Sequence, residues 1–350
     1  MVRRPYALLG GVAVVMGTAA VVVSVLIGQG LTDPDGSLGP SYVRLPLMLL
    51  GAFVADVVPR TLWRMRGKRR GFLLEARRLV AEHWSHERIR LVVVGLVSFY
   101  VTYVAYRNLK NFVPRVNGSN HDLLLHRIDR ALMFGHEPAV LLHQLLGETL
   151  AAHVLDFVYL LFLPVSPFSL VVFLVWASVR NGYWYATAQC LAWAFGTVSY
   201  YALPTTGPNF AFVWLYTGLK QTSVADMQNS LYSSRMAVLW DDSSGSIQSV
   251  AGFASLHVGI ILTLALVVQY TVRNVWVRGI LWVYFGLTVV STLYFGWHYI
   301  ADDVAGALIA VASVWLGGLA TGHRFDRRGH LVDEPAAVAA EPARSASSAR

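Results

Sequence analysis

The feature that most constrains this chain is a series of long apolar runs. A helix that crosses a bilayer needs about 20 mostly apolar residues, and the runs at 6–28, 41–59, 91–107, 150–179, 185–203, 256–271, 279–297 and 303–321 meet or approach that length. Lipid offers backbone amides no partner, so segments of this kind must be helical. The composition agrees: 55% of 350 residues are hydrophobic and 14% charged, with a mean hydropathy of +0.51. The expected fold is therefore an all-α polytopic membrane bundle of about eight transmembrane helices. The run 150–179 is long for one crossing, and Pro164 and Pro167 predict a kink inside it. The first run is too long for a signal-peptide core and is expected to remain as a span. Cys190 is the only cysteine, which excludes an intrachain disulfide.

The net charge of +8 is unevenly placed, with much of the excess in residues 60–90, RTLWRMRGKRRGFLLEARRLVAEHWSHERIR. Beside a membrane span such a segment marks the cytoplasmic side and can lie on anionic lipid; no nucleic-acid partner is expected. Counting spans outward from it puts Arg3, Arg4, Arg180, Arg273, Arg278, Arg324, Arg327 and Arg328 on the same side. Both termini are then cytoplasmic, in a plasma membrane. The segments 108–149 and 204–255 and the turn near 298–302 fall together on the far side. Within the first, HEPAVLLHQLLGETL has the spacing of an interfacial helix. The organisation expected is two N-terminal transmembrane helices (1–59), a basic cytoplasmic amphipathic segment (60–90), a catalytic membrane domain (91–322) and a disordered cytoplasmic tail (323–350).

The far side carries the chemistry. GWHYIADD, residues 296–303, sets ionisable groups between two apolar runs, at roughly 2.5–3.5 kcal/mol for each charge at a helix centre. His298 and Asp302 are four apart, which on a helix puts both on one face. A carboxylate beside an imidazole raises its basicity and fixes its tautomer. His257, in FASLHVG, opens the sixth run and reaches the same membrane face. Two histidines and a carboxylate can carry out nucleophilic and general-acid chemistry without a metal. Each piece also has a plain reading: an interfacial histidine at 257, a structural ion pair at 298 and 302.

SLHVG followed some forty residues later by HYIAD resembles the PAP2 superfamily, the type-2 phosphatidic acid phosphatase fold, over roughly residues 100–320. The form His298-Tyr299-x-x-Asp302-x-x-x-Gly306, with LPTTGPNF after the preceding span and IDRALMFG at 128–135, is similar to the branch typified by inositol phosphorylceramide synthases. The resemblance implies a six-helix-like core. It also implies that His298 attacks phosphorus, Asp302 holds that imidazole, His257 protonates the leaving oxygen and Ser255 helps bind the phosphoryl oxygens, with no metal or other cofactor. The substrate implied is a membrane phospholipid or polyprenyl phosphate, and the site is extracytoplasmic.

Two family arginines are missing. Ser291 and Thr292 stand where Ser-Arg is usual, and Gly207-Pro208-Asn209 where Pro-Pro-Arg is usual. A phosphate in a low-dielectric site needs cationic or dipolar partners. Arg107 and Lys110 are the first candidates, then Lys220 and Arg235, with Asn209 as a neutral donor; Arg107 and Lys110 can equally snorkel to headgroups. Asp156 is expected to make a polar contact in the bundle, Asp129 and Arg130 an interfacial salt bridge, and Asp241 and Asp242 a solvated turn. Two phosphoryl reactions remain open: transfer of a phosphorylated polar headgroup, such as inositol phosphate, to a lipid or glycan, and hydrolysis of a lipid phosphate. Three other readings use the same residues: ion-coupled transport, which predicts repeats that are not evident; a metal site of His257, His298 and Asp302; and an inactive PAP2-like binder.

Overall fold

The computed structural model describes residues 4–34, 41–66, 71–240, 250, 252–326 and 331. Among these the chain is all-α: α1 Ala7–Ile27, α2 Ser41–Met65, α3 Phe72–His83, α4 His86–Val116, α5 Asp122–Leu132, α6 Pro138–Leu146, α7 Leu150–Leu160, α8 Phe162–Trp176, α9 Val179–Ala202, the single turn α10 Pro208–Ala211, α11 Ser223–Trp240, α12 Leu256–Thr271, α13 Val275–Tyr294 and α14 Ile300–Ala320. Asp241, Asp242 and most of the expected tail lie outside the described residues.

Among the described residues six helical stretches are long and apolar enough to span a membrane: Ala7–Ile27, Pro46–Met65, His86–Val116, Leu150–Trp176, Val275–Tyr294 and Ile300–Ala320. The other two runs read from the sequence are helical but of different character. α12 is short, at 16 residues. α9 is buried on nearly every face, with Tyr183, Trp184, Tyr185, Gln189, Cys190 and Tyr200 enclosed, because α4, α8, α12, α14 and α1 all pack on it. A helix enclosed by protein need not satisfy lipid. Its polar groups bond locally or to neighbours: Thr187 to the Tyr183 carbonyl and Trp184 Nε1 to the Val314 carbonyl at 2.8 Å.

Helix starts follow local sequence. Ser85, Ser178, Ser255 and Asn274 cap α4, α9, α12 and α13 by accepting from first-turn amides. The long run at 150–179 is interrupted at Leu161, and Pro164 falls in the first turn of α8. Proline clashes with the carbonyl four residues earlier, here Leu160, where α7 ends. α4 starts earlier and runs further than the expected span at 91–107, to Val116. Outward faces stay apolar, as at Val14, Val25, Ile280 and Leu308.

The basic helix ends gather at one end of the bundle. Arg88 donates to the Leu174 and Ala177 carbonyls, and Arg180 to those of Thr321 and Gly322. The chain stays packed past residue 322, where His323 lies on the Trp184 ring at 4.2 Å. At the opposite end, α12 and α14 cross closely enough that a Cβ on Gly306 would collide with the Ser255 carbonyl. That crossing sets His257 beside the start of α14.

Candidate active site

His298 lies in the irregular stretch between α13 and α14, not inside a helix as its spacing from Asp302 predicts. α14 begins at Ile300, so Asp302 sits in its first turn. The pair still meets: His298 Nδ1 donates to Asp302 Oδ2 at 3.3 Å, and the same oxygen accepts from the Tyr299 amide at 2.9 Å. His298 and Asp302 are both buried. Nδ1 is held by the carboxylate, and the Gly252 backbone also bonds the imidazole. Burial first, then the Lys110 ammonium, push the His298 imidazole down to about 3, so it is neutral at pH 7.

His257 arrives from α12. Its ring is centred 6.1 Å from that of His298 and is held between Tyr159 at 4.4 Å and Phe162 at 4.3 Å. The Ser255 amide donates to the Asp302 carbonyl at 2.9 Å, which fixes the start of α12 against α14. Ser255 itself is fully buried; its hydroxyl caps α12 and does not line the cavity described next.

Both histidines line a cavity of about 880 Å³ that runs along α4 past Lys110, Arg107, Tyr106, Tyr103 and Phe99. Phe99 and Lys110 are eleven residues apart on α4, so the cavity extends roughly 16 Å along that helix. Thr206, Tyr159, Tyr200, Trp193 and Trp297 line it, and Leu47, Met48, Leu163 and Pro167 wall its apolar part. Lys110 Nζ lies 3.4 Å from the Tyr106 hydroxyl and 5.1 Å from the centre of the Tyr200 ring. Arg107 Nε is buried and carries no hydrogen bond. The structure thus brings the two first-choice cations into the cavity that holds both histidines.

The remaining candidates sit elsewhere. Lys220 is exposed, its amide donating to the Glu148 carbonyl. Arg235 donates to the carbonyl of Val250, a cavity residue, at 3.2 Å. The Asn209 amide donates to the Gly296 carbonyl at 2.8 Å, so the segment in the place of Pro-Pro-Arg braces the turn that carries His298. Thr292, in place of the other arginine, donates to Asp303 at 3.0 Å and ties α13 to α14. Asp156 makes the expected bundle contact by accepting from the Val224 amide at 2.7 Å. Among the described residues no group of three His, Cys, Asp or Glu side chains is placed to hold a metal ion.

One carboxylate near the site, Asp122, escaped the sequence reading, and another, Asp129, makes a different contact from the one expected. Asp122 accepts from Thr206, Gly207 and the Tyr299 hydroxyl. Asp129 does not pair with Arg130; it accepts from the Ile300 amide with both oxygens at 3.1 Å, while Arg130 faces Glu137 at 3.4 Å. The heptad spacing of 122 and 129 on an amphipathic helix was the available signal.

Comparison with known proteins adds one match. No curated protein and no solved structure matches the chain. A family model of the PAP2 superfamily matches residues 123–316, a stretch that holds His257, His298 and Asp302 but not Arg107 or Lys110. With the match covering more than half of its length, the chain belongs to the PAP2 superfamily.

Proposed function

We propose that this protein is a membrane phosphotransferase that moves a phosphorylated polar headgroup, such as inositol phosphate, from a lipid donor to a lipid or glycan acceptor on the extracytoplasmic face. Members of the superfamily are phosphatases and phosphotransferases. The observation that carries the reading is the meeting of His257, His298 and Lys110 in one cavity.

In the first half-reaction Nε2 of His298 attacks phosphorus, the bond to the leaving oxygen breaks, and protonated His257 gives that oxygen its proton. Asp302 holds the Nδ1 proton and stabilises the charge that develops on the ring. In the second, an acceptor hydroxyl attacks the phosphohistidine, its proton passes to His257, and the P–N bond breaks. Lys110 and Arg107 neutralise the phosphoryl oxygens. The aromatic and apolar length of the cavity suits the lipid part of a substrate.

The test uses purified full-length protein with headgroup-labelled phospholipid, with and without an alcohol acceptor. A new phosphodiester is expected; free phosphate or free phosphorylated headgroup as the sole labelled product makes the enzyme a hydrolase instead. His298→Ala should abolish turnover, and retained turnover refutes the assignment. Lys110→Met should lower kcat/KM about 10- to 100-fold, the worth of a charge-assisted hydrogen bond.

A further inference from the structure

The nucleophile sits in a non-helical turn, and such a turn needs external support to hold one geometry. Asp302 supports it from within α14, and Asn209 and the Trp297 amide, which donates to the Thr292 carbonyl at 3.0 Å, fix its α13 side. The side that follows His298 is held by a separate element. Asp122 and Asp129 of α5 are seven residues apart, about two turns, and so share a helix face; both are buried. Asp122 Oδ1 accepts from the Tyr299 hydroxyl at 3.1 Å, and Asp129 from the Ile300 amide. These are the two residues immediately after His298. Asp122 also accepts from the Thr206 amide at 3.0 and 2.9 Å, from the Thr206 hydroxyl at 2.6 Å and from the Gly207 amide at 2.9 Å, and Thr206 lines the substrate cavity. A second, small cavity of about 10 Å³, room for about one water, lies between His298, Asp129, His126 and Glu137, so the α5 face reaches the nucleophile's own surroundings.

We propose that Asp122 and Asp129 are positioning residues for phosphoryl transfer: α5 clamps the turn at 298–300 through two buried carboxylates and so sets the direction in which the His298 imidazole meets phosphorus. This rests on the phosphoryl-transfer reading above. A clamp acting on the nucleophile affects the chemical step rather than substrate binding. It also tolerates any side chain that still accepts from the Ile300 amide.

The experiment uses the full chain with phosphatidic acid, phosphatidylinositol and undecaprenyl phosphate as probes, continuing with whichever turns over fastest. Asp129→Ala should lower kcat about 10- to 100-fold, the scale of a misplaced reacting group, with KM within about threefold of wild type. Asp129→Asn, whose amide oxygen still accepts, should recover most of it. Tyr299→Phe, which removes only the hydroxyl held by Asp122, should lower kcat about 2- to 10-fold. In protein labelled with ¹⁵N-histidine, the His298 imidazole resonances, assigned by their loss in His298→Ala, should shift in Asp129→Ala and Tyr299→Phe. If Asp129→Ala does not fold, Tyr299→Phe decides. Unchanged kcat and unchanged resonances overturn the clamp, as does a loss of activity matched by an equal loss of folded protein. A wild type that turns over none of the three lipids sinks the phosphoryl-transfer reading, and the resonances still decide the clamp.

Discussion

At Asp302 one carboxylate oxygen serves both His298 and the Tyr299 amide, so the residue that holds the His298 imidazole also starts the helix behind it. His257, His298 and Asp302 were singled out by their spacing, their order along the chain and the resemblance of their motifs to PAP2, and the structure brings the three together. The work of Asp122 and Asp129 was not legible, because their partners lie 84 to 177 positions away and nothing in local sequence names them. Asp129 also carries a measurable pH signature. Burial, with Asp302 and Glu137 adding to it against the Ile300 amide, pushes its carboxyl up to about 7 from an ordinary 3.8. Between those values the folded protein holds a proton that the unfolded chain has released. The Asp129 contribution to stability is therefore present at low pH and lost as pH rises toward 7. The apparent Tm of wild type minus that of Asp129→Asn should fall from pH 4 to pH 7; a flat difference would contradict the shift. His298, pushed down to about 3, works oppositely: its contribution is lost as pH falls below 6.5, which is why the difference between variants is the quantity to read.

Among the elements, the pair α12 and α14 decides whether the site exists. Gly306 lies against the Ser255 carbonyl and Gly259 against the Gly306 backbone, a close approach that small residues permit between membrane helices. The Ser255 amide then reaches the Asp302 carbonyl. Gly306→Leu should force the two helices apart, lowering stability by about 1–3 kcal/mol and separating His257 from His298. The expected result is a lower Tm and a larger loss in kcat than in folded yield; full turnover would mean that the crossing does not set the site. All eight apolar runs are helical, one of them as two helices, and six stretches qualify as spans among the described residues, because length and composition are local properties. The last run read from the sequence opens at 303, three residues after α14 begins, and the spacing of His298 and Asp302 predicts a helix for both, whereas the turn at 298–299 is held by Asp122, Asp129 and Asn209 from elsewhere. The central place of α9 was likewise not read: its run is less apolar than the spans, but only the packing of five neighbours shows that protein encloses it.

Over the whole molecule, the clustering of Arg88 and Arg180 at one end and of both histidines at the other gives the topology a direct check. Cys190 is the only cysteine and is fully buried, so an added surface thiol reports alone. Ser119→Cys should react with an impermeant maleimide in intact cells and Arg273→Cys only after permeabilisation; the reverse pattern would put the site on the cytoplasmic side. The sequence by itself determined that this chain is helical and built for a bilayer, since apolar length and charge placement are written residue by residue, and its resemblance to the PAP2 superfamily singled out His257, His298 and Asp302 as the candidates for the chemistry. Only the tertiary structure decided that Lys110 and Arg107 of α4, outside the stretch that matches the family, share a cavity with both histidines, and that Asp122 and Asp129 of α5 bond the two residues after His298. Those relations join residues far apart in the chain, and they arise from how buried carboxylates and close helix crossings are satisfied in three dimensions.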